Sequence, residues 1–170
     1  MARRKQLLDA GDAFVPGVDT DLRCALSFRS EPMRQVGALP WRVSKSGSLR
    51  IMLITSRSGR QWIIPKGWPI AGRSEYCSAT QEALEEAGVI GIVAAAAIGE
   101  FEYATRKEPQ MRRRVRVFPL EVRGTLVRWQ ECAERKRRWF TLEEAVTTVS
   151  NNDLAALIQA SSSKLSMISG

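Results

Sequence analysis

The residues best suited to chemistry lie between Gly67 and Val89, in the segment GWPIAGRSEYCSATQEALEEAGV. Glu82, Glu85 and Glu86 stand there at i, i+3 and i+4. On a helix turning about 100° per residue these positions share one face, and Glu75 lies near the same line two turns earlier. Like charges at these spacings oppose helix formation by a few tenths of a kcal/mol per pair, and a cation relieves the crowding. Carboxylate oxygens gathered without His or Cys suit Mg²⁺ or Mn²⁺, hard ions that keep several waters and also grip phosphate oxygens. Such an ion neutralises charge developing at phosphorus and activates water, so the chemistry indicated is attack on a phosphorus centre. A solvated acidic face is the other reading of an acidic helix. The glycine-containing loop before it, and its spacing from the glutamates, favour the metal site.

Composition removes the main competitors. The chain contains no histidine among its 170 residues, which excludes Ser-His-Asp and Cys-His sites and every histidine-ligated zinc centre. Its three cysteines, Cys24, Cys77 and Cys132, are scattered and form no CxxC pair, which reads as reduced thiols in a cytoplasmic protein. No segment reaches the apolar length of a membrane span, so no membrane association is expected. With 26 basic and 18 acidic residues the net charge is +8, the balance expected of a protein that meets polyanions.

The elements that must position the glutamates follow from pattern and punctuation. Residues 1–30 mix charge, Gly, Pro and Asp without periodicity and read as a flexible arm. Arg34 to Val43 and Arg50 to Thr55 read as two strands of a hairpin joined by Lys45-Ser46-Gly47-Ser48. Gln61 to Ile64 is a third short strand, followed by a loop from Pro65 to Gly72. Ser74 is the expected N-cap and Gly88 the stop of the acidic helix. Further strands are expected over Val89–Ala97, Ile98–Tyr103 and Val115–Val122, with the basic stretch from Arg106 to Arg114 as a loop or hairpin tip. Trp139-Phe140 closes another strand, the Thr141-Leu142-Glu143-Glu144 capping box opens a second helix, and a last one runs from about Asn152 to Gln159. The pattern is that of a mixed α+β domain over residues 31–160, with 161–170 as a frayed tail.

The Gly67–Val89 segment resembles the Nudix box: Gly, five residues, Glu, seven residues, then Arg-Glu-apolar-x-Glu-Glu-x-Gly-apolar. Gly67, Glu82, Ala83, Glu85, Glu86, Gly88 and Val89 match in register. Arg73 stands where the box has Glu, and Gln81 where it has Arg, so the pair that ties loop to helix in that family is replaced. A changed brace with intact metal-binding carboxylates is expected. The resemblance runs from about Arg34 to Ala160 and is nearest to the diphosphoinositol polyphosphate phosphohydrolase branch, which includes diadenosine polyphosphate hydrolases. Its supporting segments are Gln61 to Gly67, Phe101-Glu102-Tyr103 with Arg106-Lys107, and Arg135 to Phe140.

The resemblance implies a Nudix-type α/β/α sandwich around a mixed β-sheet. It implies that Glu85 and Glu86, with Glu82 and the carbonyl of Gly67, hold Mg²⁺ or alternatively Mn²⁺, with Glu82 or Glu85 taking the proton of the attacking water. Arg34, Arg57, Lys66, Arg106 and Lys107 are the implied phosphate contacts, and Trp68 is the aromatic candidate for a base or the site entrance. The implied substrate is a polyphosphorylated small molecule, a diphosphoinositol polyphosphate or dinucleoside polyphosphate. The 5′ end of RNA, and a non-catalytic module that binds polyphosphate or nucleic acid, are the alternatives.

Overall fold

The computed structural model describes residues 32–168; the arm read over 1–30 lies outside them. Eight strands form one mixed sheet: β1 (Met33–Val43), β2 (Leu49–Thr55), β3 (Trp62–Ile63), β4 (Lys66–Gly67), β5 (Val89–Val93), β6 (Gly99–Thr105), β7 (Glu108–Thr125) and β8 (Arg137–Thr141). The main path is β3-β2-β1-β7-β5, with β4 joined to β1, β6 to β7 and β8 to β2. Among the described strands only β1 and β7 pair with each other in parallel, in register from Met33↔Arg113 to Trp41↔Glu121. The centre of β1 is buried on both faces, as expected of a strand covered from two sides.

Three helices provide that cover: α1 (Glu75–Ala87), α2 (Leu142–Thr148) and α3 (Asn152–Ile168). Strand alternation separates two cores. Val36, Ala38, Met52, Ile54, Phe118 and Leu120 pack with Ala79, Ala83 and Ala87 of α1. Leu39, Trp41, Ile51, Leu53, Val115 and Val117 pack on the other face with Ala145, Leu154, Ile158 and Leu165 of α2 and α3. The result is the expected α/β/α sandwich.

The helix punctuation is as the residues indicate. Ser74 caps α1 by accepting from the Cys77 amide, and Gly88 closes it at φ 60°. Thr141 and Glu144 form both halves of the capping box of α2. Helix α1 has no basic residue in its last turn. The cation favoured there comes from β8, where Arg137 donates to the carbonyls of Ala87 at 2.6 Å and Gly88 at 3.1 Å.

Three expectations need correction. The basic stretch from Arg106 to Arg114 is not one loop: the turn is confined to Arg106-Lys107, and β7 begins at Glu108. Acidic neighbours make a strand of arginines tolerable, with Arg112 and Arg114 paired to Glu102 at 2.9 and 2.8 Å and Arg116 to Glu75 at 2.8 Å. The loop expected from Pro65 contains a two-residue strand, β4, which pairs with Val36 and Gly37 of β1. Residues 161–168 are not frayed, because α3 continues to Ile168 and buries Leu165 completely; 169–170 lie outside the described residues.

Candidate active site

Strand β4 and helix α1 bring the glycine of the loop against the glutamates of the helix. A Cβ built on Gly67 would overlap the carboxyl carbon and both oxygens of Glu82, so only glycine permits this approach. One residue earlier, the Lys66 amide donates to Glu86 Oε2 at 3.0 Å. The loop is tied down again further on. Ser78, fully buried, accepts from the Ile70 amide at 3.0 Å and donates to the Ser74 carbonyl at 3.1 Å. These backbone ties are the changed brace: Arg73 is exposed, and Gln81 donates to Glu85 Oε1 at 2.6 Å.

Glu86 points inward and is only 6% exposed. Its Oε1 accepts from Arg135 Nη2, and Arg135 also donates to Glu131 Oε2 and, at 3.0 Å, to the Thr55 carbonyl. Arg57 donates to Glu131 Oε1 at 2.5 Å and lies 3.3 Å from Glu134. Trp129 Nε1 donates to the Glu86 carbonyl at 3.1 Å, and the Glu131 amide to that of Glu85 at 3.1 Å. The segment before β8 is therefore docked along the end of α1.

Burial, followed by repulsion from Glu86, Glu85 and Glu131, raises the Glu82 carboxyl to about 7; Lys66 opposes the rise. Burial also raises Glu86, against the Lys66 amide and the charges of Arg135 and Lys66. Burial works in the same direction on Glu131, but hydrogen bonds from Arg57 and Arg135 outweigh it and hold that carboxyl below its usual range. Burial lowers the ammonium of Lys66, which lies 4.8 Å from the centre of the Tyr103 ring.

The three box glutamates share the α1 face, but their oxygens are not gathered. Glu82 lies against Gly67, Glu85 is engaged by Gln81, and Glu86 by Arg135 and the Lys66 amide. Among the described residues no three acidic, cysteine or histidine side chains stand close enough to hold an ion. The donor set nevertheless fits a hard divalent cation. It is all oxygen, three carboxylates on one helical face beside the backbone of Gly67.

The expected phosphate contacts divide. Lys66 is at the site. Arg57 is held by Glu131 and Glu134 at the far side of the Arg135 network. Arg34 is exposed on β1 and lines a shallow cleft with Glu75, Glu100 and Arg116. Arg106 and Lys107 are exposed at the tip of the β6–β7 hairpin, and Trp68 is 46% exposed beside Gly67. Arg135 and Glu131 were not singled out from sequence. A signal existed: Trp139, Arg137 and Arg135 alternate in phase toward the α1 face, between exposed Lys136 and Arg138. Arg113 on β7 has its Nη1 buried without a hydrogen-bond partner, and its guanidinium lies 6.0 Å from the Tyr103 ring centre.

No family model matches the chain. It is 32% identical over 121 residues to Nudix hydrolase 16, mitochondrial, of Arabidopsis thaliana, covering 68% of this chain and 67% of that protein. It is 34% identical over 98 residues to diphosphoinositol polyphosphate phosphohydrolase 2 of Mus musculus, covering 56% and 51%. The C. elegans Ap4A hydrolase binary complex superposes with a TM-score of 0.63 at 19% identity, covering 79% of this chain and 98% of that one. The chain belongs to the Nudix hydrolase family. It spans between about half and two thirds of the length of the curated relatives it matches.

Proposed function

We propose that this chain is a divalent-metal-dependent pyrophosphohydrolase that cleaves a phosphoanhydride bond in a highly charged small molecule. The observation that carries the reading is the close approach of Gly67 to the Glu82 carboxyl, on the helical face that also carries Glu85 and Glu86. Glu82, Glu85, Glu86 and the Gly67 carbonyl would hold Mg²⁺ or Mn²⁺, which when bound supplies charge neutralisation at phosphorus and acidifies water. Glu82 or Glu85 would accept the proton of the attacking water. Water oxygen then bonds to one phosphorus, the bridging P–O bond breaks, and its electron pair leaves with the second phosphate. Lys66 would set a point charge against a phosphate oxygen.

The substrate class, a diphosphoinositol polyphosphate or a dinucleoside polyphosphate, is supported by the names of the mouse relative and the C. elegans structure and by the net charge of +8. A cytoplasmic location rests on the exposed free thiols of Cys77 and Cys132. Among the described residues no helix is long and apolar enough to cross a membrane. A binding-only role is the second reading, favoured by the replacement of the loop-to-helix pair, with Arg73 and Gln81 in place of the usual Glu and Arg.

The two readings separate in a substrate panel with Mg²⁺ and phosphate detection, covering inositol pyrophosphates, dinucleoside polyphosphates and 5′-triphosphate RNA. Turnover is expected in the parent, and Glu85→Gln should lower kcat by about a hundredfold or more, as loss of a metal ligand's charge implies. Ligand binding without turnover by the parent would establish the module instead.

A further inference from the structure

We propose that Arg135 is the positioning residue for Glu86, orienting from outside the box the carboxylate that captures the divalent ion. The inference rests on the hydrolase reading above. Arg135 follows Glu86 by 49 residues in sequence, yet its guanidinium uses all three of its nitrogens in one buried cluster: Nη2 on Glu86, Nε on Glu131 and Nη1 on the Thr55 carbonyl. Arg135, Glu86 and Glu131 are 7%, 6% and 8% exposed. At that depth breaking the pair would leave a buried charge uncompensated, so the orientation is strongly held. The Lys66 amide holds the other oxygen of Glu86, so each oxygen has one protein donor and retains a lone pair for an ion.

Nothing within the box does this work. Arg73 has no side-chain hydrogen bond or ion pair among the described residues, and Gln81 is directed to Glu85 rather than Glu86. The guanidinium is itself fixed. Glu131 is clasped by Arg57 from outside, and its amide docks on the Glu85 carbonyl at 3.1 Å. A lysine at 135 would keep the charge but lose the planar fork that spans three acceptors.

Two roles for Arg135 predict opposite results. A group that only balances charge weakens cation binding, and its removal should tighten it; a group that orients a ligand strengthens cation binding. Mn²⁺ alone, titrated against the full chain and followed by electron paramagnetic resonance, reads the difference without substrate. Arg135→Met and Arg135→Lys are each expected to weaken Mn²⁺ binding by about tenfold, the usual scale for loss of a partner behind a metal ligand. In turnover, kcat should fall with KM little changed. Unchanged or tighter Mn²⁺ binding by the folded variants overturns the proposal, as does full Mn²⁺ affinity with a raised KM, which would make Arg135 a substrate contact. If Arg135→Met does not fold, Arg135→Lys and Glu131→Gln decide, because the first retains the charge and the second releases Arg135 without altering it. Absence of Mn²⁺ binding by the parent chain instead removes the hydrolase reading, and the inference with it.

Discussion

At position 67 the space for a side chain is taken by the Glu82 carboxyl, so an alanine there must expel that carboxyl or shift β4 away from β1. Gly67→Ala is expected to reduce kcat at least about tenfold while costing only about 1–3 kcal/mol of stability, the usual scale of an overpacked site. Steady-state kinetics beside thermal unfolding would check both. Glu82 makes a second prediction, on pH. Its folded carboxyl binds a proton more tightly than an ordinary glutamate at 4.5, so folding is favoured by protonation. The contribution is fully present below pH 4.5 and is lost as pH rises through about 7. The midpoint of the metal-free protein should fall over that window, and Glu82→Gln should flatten the fall. Saturating Mg²⁺ should flatten it too, by supplying the missing positive charge.

Single elements show how local signals combine with distant ones. Helix α1 starts and stops where Ser74 and Gly88 dictate, but its C-terminal carbonyls receive Arg137 from β8. Its inward glutamate receives Arg135 from the segment just before that strand. Helix α3 differs from its sequence reading because the Ser161-Ser162-Ser163 run lowers local apolar content, whereas Leu165 still reaches the core beside Leu154 and Ile158. Ser161 is buried and donates to the Ile158 carbonyl at 2.7 Å, so the serines do not interrupt the helix. Leu165→Ala should therefore cost about 2–5 kcal/mol, the range for a fully buried leucine, in chemical unfolding. A frayed tail at that position would give no change.

On the scale of the whole molecule, the excess of positive charge has two destinations. Part is neutralised across the sheet: Arg112, Arg114 and Arg116 face Glu102, Glu100 and Glu75, and Arg57 faces Glu131 and Glu134. Arg34, Arg106 and Lys107 remain exposed around the molecule, with Lys66 at the site. Affinity for inorganic tripolyphosphate should consequently fall several-fold between about 50 and 200 mM salt, since exposed charges are screened over about 8–10 Å. Calorimetric titration at the two salt concentrations measures this, and salt-independent binding would refute electrostatic capture by these cations.

What the sequence determined alone was whatever depends on neighbours in the chain. The i, i+3, i+4 spacing set the glutamates on one helical face, Ser74 and Gly88 bounded that helix, and Thr141 with Glu144 opened the next. Alternation and turns placed most of β1, β2, β6 and β8, and the absence of histidine narrowed the chemistry to oxygen ligands. The tertiary structure decided which charges meet. Arg57 and Arg135 are equally basic on paper, yet one lies at the edge of the ionic cluster and the other is buried against Glu86. Ser78 became the brace because folding brought the Ile70 amide to it. Such partnerships join residues tens of positions apart, and their strength depends on burial, a property of the packed molecule that no local window of residues contains.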